Sequence, residues 1–330
     1  MRSLLTLLLG AVFAVPLAQA QPQAALRVSI FPGGLSWPIF VAQDRKLFEK
    51  EALAVVVTET PNSVYQIKGV MAGDFDIAMT PFDNVMAYDE GQGEVVLAPP
   101  PDLFSFMGGI SSALRFIVRS EIHSFDDLKG KTLGVDALTT GYTLLMYQLL
   151  AQQGLPVGSY QLERTGGTSS RVQALIDGKI VGTMVSSPQE IIPEKQGFKR
   201  LGDIQAQLGN YQALTGAARR SWAATHQQQL IGFIRAYVSA SQWLAEPANK
   251  LEAQQIYQRH IANTPNDVIE TAWHLMRSNS EGFQADAKFD PQGAQMALDV
   301  RNRYGVPRKA IADWHRFVDE SYYEQAIKAH

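Results

Sequence analysis

Thr139, Thr140 and Gly141 place two hydroxyls and a glycine side by side, between a run ending at Val135 and the stripe Tyr142, Leu145, Met146, Leu149 and Leu150. That stripe has the i, i+3, i+4, i+7, i+8 spacing of an amphipathic helix. The first turn of a helix leaves N–H groups unpaired and gathers about half a positive charge, so a carboxylate, a sulfonate or a polar ring edge can be held there. One threonine is enough to cap a helix, a contribution of about 1 kcal/mol. Two hydroxyls and a glycine exceed that need. Gly166, Gly167 and Thr168 repeat the arrangement ahead of a stripe made by Val172, Leu175 and Ile176.

Further groups of this kind follow other strand-like runs. Gly34, Leu35, Ser36 and Trp37 come after Leu26–Ile30; the glycine lets backbone approach a solute and the tryptophan can wall it. Thr80, Phe82, Asp83 and Asn84 come after Ile77–Met79, and Ser186 and Ser187 after Val181–Val185. These are hydrogen-bonding groups suited to holding a solute, with no catalytic constellation among them. Arg115 and Arg119 are cations able to neutralise an anion, although such arginines are usually solvated. Asp74 and Asp76 suit turn caps around the Ile77 strand better than a catalytic pair. The six histidines are scattered singly without ligand spacing, so neither a metal nor a cofactor is expected. Trp273 lies on a helical stripe and fits a core position better than a cleft edge.

The elements that must position these groups alternate. From Leu26 to about Leu201 the pattern is strand, loop, helix: strands at Leu26–Ile30, Val55–Thr58, Ile77–Met79 and Val95–Leu97, with helices over Trp37–Lys50, Val64–Met71 and Pro81–Tyr88 between them. A second cycle has strands at Arg115–Val118, Lys131–Val135, Tyr160–Arg164 and Val181–Val185. It adds a short capped helix at Ser124–Asp127 and a helix from Pro188 to Gln196. Such alternation predicts parallel-rich sheets flanked by helices, an α/β architecture. After Arg219 the spacing predicts helices only: Trp222–Leu244, Lys250–His260, Pro265–Arg277, Pro291–Tyr304 and Trp314–Ala326. The glycines at Gly108–Gly109 and between Gly209 and Gly216 bracket the second cycle as its expected boundaries.

Composition narrows the class. A chain of 330 residues, 46% hydrophobic, is long enough for two domains. Arg2, the apolar run Leu4–Leu17 and Ala18-Gln19-Ala20 read as a cleavable export signal over residues 1–20, the mature chain starting at Gln21. Its loss takes the basic residues from 29 to 28 against 32 acidic ones, a net charge of about −4 with no basic block, which argues against nucleic-acid binding. There is no cysteine, hence no disulfide and no lipid attached through one. A soluble periplasmic protein without an anchor is expected.

The order of segments also carries a resemblance. "LRVSIFPGGLSWPIFVAQDRKLFEKEAL", "QIKGVMAGDFDIAMTPFDN", "SFDDLKGKTLGVDALTTGY" and "GGTSSRVQALIDGKIVGTMVSSP" together resemble periplasmic substrate-binding proteins of ABC importers, the sulfonate, taurine, nitrate and thiamine-pyrimidine group. The resemblance implies a two-lobed, type II-like fold with the ligand between lobes. Lobe one would comprise residues 21–109 and 212–330, including C-terminal helices packed on it, and lobe two residues 110–211. It further implies a monomer that binds a small organic solute, anionic or polar aromatic, and delivers it to an inner-membrane permease. A periplasmic sensor feeding a signalling partner would look the same in sequence. Thiamine-pyrimidine synthases resemble the group as well, but they carry a cysteine-rich iron-binding motif that this chain lacks, so no enzyme is expected.

Overall fold

The computed structural model describes residues 25–278 and 282–328, so the proposed export signal and the start at Gln21 lie outside the described residues. Two five-stranded sheets form the frame. The first sheet holds β1 (Leu26–Ile30), β2 (Val55–Glu59), β3 (Ile77–Thr80), β4 (Leu103–Ser111) and a late strand, Gln212–Arg219. The second is built from β5 (Leu114–Val118), β6 (Thr132–Val135), β7 (Gln161–Arg164), β8 (Gly182–Ser186) and β9 (Lys199–Asp203). The late strand is β10. Their orders are β2-β1-β3-β10-β4 and β7-β6-β8-β5-β9. Both sheets are mixed: β1, β2 and β3 are parallel, as are β6, β7 and β8. β10 runs antiparallel to β3 and β4, and β5 antiparallel to β8 and β9.

Helices α1 (Trp37–Asp44), α2 (Leu47–Lys50), α3 (Ser63–Ala72) and α4 (Phe82–Asp89) follow the first three strands, and α5 (Gly141–Gln152), α6 (Thr168–Ile176), α7 (Ile191–Lys195) and α8 (Ile204–Leu208) belong to the second cycle. The return segment supplies α9 (Arg220–Thr225), α10 (Gln227–Ala245), α11 (Lys250–His260), α12 (Asn266–Met276), α13 (Pro291–Tyr304) and α14 (Ser321–Lys328). No helix among the described residues is long and apolar enough to cross a membrane. On one face of the first sheet, Val28, Ile30, Ile77 and Met79 pack with Trp37, Phe40, Phe233 and Ile234. On the other, Ala78 and Ala217 join Phe82, Ala294 and Leu298. This second core does not stop at the sheet. It runs on through Tyr211 into Phe116, Leu133, Leu145 and Leu149 of the second lobe, so α5, packed between β8 and α13, is shared ground. Withdrawing a leucine such as Leu149 completely from water stabilises the fold by about 2 kcal/mol.

Several expected elements differ. Val95–Leu97 is not a strand, and Val96 is 97% exposed. The strand is Leu103–Ser111, buried along its whole length, so it lacks the alternation that marks a half-exposed strand. β9 and β10 are also additional to the reading. Gly108, Gly109 and Gly216 lie inside paired strands rather than at boundaries: a side chain on Gly108 would strike the Lys288 backbone, and one on Gly216 the Phe106 ring. The Trp37–Lys50 helix breaks at Lys46, whose φ is 55°, and Trp222–Leu244 breaks at His226. In the last segment Val318 bridges to Ser105 of β4 before α14 begins.

The chain passes between sheets twice. Ser112 and Ala113 join β4 to β5 with φ of 70° and 54°, a left-handed pair that non-glycine residues adopt only under surrounding constraint. The return runs through Gly209 to Tyr211, and Ser112 N–H donates to Tyr211 O at 2.6 Å.

Asp89, at the end of α4, tests the burial of this region. Burial pushes its carboxyl up to about 6, opposed by the Leu103 amide, Arg220 and Arg316 and reinforced by Glu90. A raised carboxyl favours the folded state below its ordinary pKa of about 3.9, and that contribution is lost as pH rises through about 6. Asp89→Asn should therefore match wild type in melting temperature below about pH 4, exceed it increasingly between about pH 4 and 6, and keep a constant advantage above that. A pH-independent difference would contradict the burial argument.

Candidate functional site

All six parallel strands point their carboxyl ends at one seam, the place where open α/β sheets bind ligands. Phe31 and Pro32 follow β1, Ser63 follows β2 and Pro81 follows β3; Asp136, Gly167 and Ser186 close or follow β6, β7 and β8. Together with Leu35, Ser36, Thr140, Tyr142, Thr168, Arg171, Gln189 and Leu214 they line a cleft of about 580 Å³, counting space continuous with solvent. The lobes are in contact and the enclosed slot is narrow.

The charged wall is Arg171, on α6. It is 2% exposed, and every hydrogen bond it makes goes to a neutral acceptor: Nε to Met184 O at 3.2 Å, Nη1 to Gly166 O at 2.7 Å, Nη2 to Thr168 Oγ1 at 3.0 Å and to Met184 O at 3.1 Å. Burial pulls its pKa down, and the field of Asp136 opposes the shift; a guanidinium keeps its charge regardless. Thr168 Oγ1 lies 2.9 Å from Ser186 Oγ, so guanidinium and hydroxyls form one chain along the second lobe. Asp136, in the same lobe, is held from across the cleft by the Ser63 amide at 3.1 Å and by the Ser63 hydroxyl. Burial pushes the Tyr142 phenol up, so it stays protonated and donates to Ala213 O at 3.0 Å.

The structure brings Ser36, Thr140, Tyr142, Gly167, Thr168 and Ser186 of the sequence candidates to this slot. The others lie elsewhere. Trp37 is fully buried, its Nε1 donating to Ala253 O at 3.1 Å and its ring set edge-on to Tyr257 and Trp273; Trp273 is core as well. Thr80 accepts from Asn84 Nδ2 at 2.9 Å beneath the slot, and Phe82 packs on Phe289 and Trp314. Their loop sends Pro81 into the cleft instead. Ser187 Oγ donates to the buried Glu190 at 2.7 Å. Arg115, 1% exposed, faces Asp203 at 3.3 Å at the far edge of its sheet. Gly34 backs onto Pro188.

The helix start that raised the possibility of a bound anion already holds one. Thr140 makes no cap bond; its hydroxyl meets Ala137 O at 3.2 Å and Thr143 Oγ1 at 3.1 Å. The Gly141 amide instead donates to Asp83, a carboxylate from the other lobe. Burial pushes the Asp83 carboxyl up, while Arg301 and that amide hold it down. Arg301 grips Asp83 through Nε at 2.8 Å and through Nη2, and donates to Thr139 O at 2.6 Å. Thr139 Oγ1 and the Leu138 amide donate to Glu94, which also accepts from Arg164.

Sequence reasoning missed Arg171 and Asp136. Asp136 directly follows β6, so the carboxyl-end rule alone points to it. Arg171 lies three residues after Thr168, on the same helix face.

With fold and cleft in view, the chain has the two-lobed architecture of periplasmic binding proteins. It superimposes on the nitrate-binding protein NrtA of Synechocystis PCC 6803 with a TM-score of 0.80 at 13% identity, covering 92% of this chain and 88% of that one. The alkanesulfonate-binding protein SsuA of Xanthomonas axonopodis pv. citri, bound to MOPS, gives 0.69 at 15% identity, covering 93% and 99%. In sequence, the putative binding protein YtlA of Bacillus subtilis (strain 168) is 23% identical over 247 residues, 71% of this chain and 70% of that protein. The family described as NMT1/THI5 like matches residues 36–250. The chain belongs to this family. Among the described residues no group of three His, Cys, Asp or Glu is arranged to hold a metal ion.

Asp83 and Arg301 are both fully buried, so removing either partner strands a charge. Asp83→Asn and Arg301→Met should each cost about 3–5 kcal/mol in urea unfolding, with the double variant recovering much of the loss. Thr140→Ala should cost no more than about 1 kcal/mol. Additive losses in the Asp83 and Arg301 variants would refute the pairing.

Proposed function

We propose that this chain is the solute-binding component of an ABC importer, working as a monomer in the periplasm and passing its ligand to an inner-membrane permease. The observation that carries the reading is the slot between two sheets, lined from both and walled by a buried guanidinium. Lobe one would take the strands of the first sheet with the return segment, lobe two the strands of the second, dividing at residues 112–113 and 209–211. A closed interlobe slot suits capture and release. Ligand favours closure only through contacts that exist when the lobes meet.

The solute is a small organic molecule with an anionic or strongly accepting group. Arg171, Thr168 and Ser186 would receive that group; Asp136 and Ser63 would meet a donor group beside it. Phe31, Pro32, Leu35, Pro81 and Leu214 supply apolar walls for a flat body. The names of the structural relatives, nitrate-binding and alkanesulfonate-binding, agree with an anionic head. No chemical step is required of any residue.

A thermal-shift screen over alkanesulfonates, carboxylates, aromatic acids and substituted pyrimidines tests this reading. A solute at about 100 times its dissociation constant adds about 2.7 kcal/mol to the folded state. Arg171→Met should weaken the best solute about tenfold to a hundredfold, as expected for losing a charged hydrogen bond of about 1.5–3 kcal/mol. Stabilisation by no anionic or polar aromatic solute, or mass-spectrometric evidence that the released solute has been altered, would overturn it.

A further inference from the structure

Gly34 lies beside the slot but does not line it. A Cβ built on it would run into the ring of Pro188 in the opposite lobe, inside contact distance of Cδ and 2.6 Å from Cγ, with the Tyr257 hydroxyl at 3.5 Å. The Pro188 ring is buried and has little freedom to yield. Its loop is pinned on both sides: Ser187 N–H donates to Ala113 O at 2.9 Å, Ile191 N–H to Pro188 O at 3.3 Å, and Ser187 Oγ to Glu190. A rigid ring against bare backbone is a different situation from a long side chain that can swing away.

The neighbouring glycines sharpen the contrast. A Cβ on Gly33 would meet only the terminal amide of Gln189, which can rotate aside, and the φ of 126° at Gly33 strains any other residue whatever the space. Gly167 leaves 3.2 Å to Phe31 Cδ1 and to Pro61 O, a tight approach that a shift of a few tenths of an ångström would relieve. At Gly34 the backbone is not left-handed, so alanine fits its own loop and its own lobe. What it cannot fit is the other lobe.

We propose that Gly34 is the seat on which the second lobe closes, a positioning residue that controls ligand capture without touching the ligand. Pro188 docks on it, and the seam hydrogen bonds beside it then form: Gln189 Nε2 to Pro32 O at 2.9 Å, Ser169 Oγ to Pro32 O at 3.3 Å and the Gly167 amide to Pro61 O at 2.8 Å. A methyl group at position 34 props this edge apart and leaves the sheets and their cores intact. The assignment concerns closure of the lobes and rests on the cleft of the proposed function, but its test needs no ligand.

The chain has no cysteine, so a pair of introduced thiols reports closure alone. Ser63 and Asp136 touch across the seam, and Ser63→Cys with Asp136→Cys should form a disulfide only when the lobes meet. In full-length protein under mild oxidation, with no solute added, non-reducing electrophoresis should show crosslinking with Gly34 present. Adding Gly34→Ala should slow it about tenfold or more, the factor given by about 1.4 kcal/mol against the closed state, with the melting temperature of the reduced protein unchanged. Equal crosslinking rates would overturn the proposal, as would a fall in that melting temperature, which would place the damage within lobe one. Absence of crosslinking even with Gly34 present would overturn it too, since the seam would then not form. None of these outcomes depends on whether a transported solute is ever found.

Discussion

The Asp83–Arg301 pair is the constraint around which the rest is arranged. A carboxylate from α4 and a guanidinium from α13 are buried together, and burying two charges is favourable only when geometry and further hydrogen bonds compensate their dehydration. Here the compensation comes from the second lobe: the Gly141 amide bonds Asp83, and Thr139 O accepts from Arg301. The pair is therefore complete only with the start of α5 in place. It fixes one side of the cleft, and the apolar core that runs unbroken from α4 and α13 into α5 follows the same path. The opposite side, from Pro32 to Gln189, has a few hydrogen bonds, a glycine seam and Ile191 of α7 packed into the first lobe's core.

This asymmetry sorts the hydroxyl-rich helix starts. At α5 the positive end of the helix is neutralised by a carboxylate of the protein itself, so its hydroxyls are structural or marginal to the slot. At α6 no carboxylate among the described residues does so, and the helix presents Arg171 as well. Two starts of similar composition thus have different electrostatic surroundings. The difference arises from Asp83, which reaches α5 across 58 positions of sequence and leaves no trace in the local pattern.

Much of the fold was legible because strand and helix periods alternate and because the loops after the strands could be placed at one seam. What escaped has a physical cause in each case. β4 and β10 are buried on both faces or interrupted by glycine, so neither alternates, and in sequence their glycines stand out only as boundaries. Trp37, Phe82 and Asn84 follow strands as cleft residues do, but the first turn after a strand can face the core as readily as the cleft, and local sequence does not tell which. Arg171 was overlooked since a helical arginine is ordinarily solvated. Only the close packing of α6 on β8 withdraws this one from water.

The two crossings deserve a mechanical reading. Ser112 and Tyr211 are hydrogen-bonded neighbours at the end of the β4–β10 pair, so the lobes are joined by a two-stranded ribbon rather than by two separate tethers. A ribbon bends easily across its thin dimension but resists shear, because sliding one strand along the other breaks rungs. Such a connection would let the lobes swing like a door leaf without drifting sideways past each other. In the closure proposed above, each stroke would bring Arg171 and Asp136 of the second lobe back to the same alignment against Pro32, Leu35 and Ser63 of the first, which makes the ribbon the part that would keep recognition reproducible from one cycle to the next.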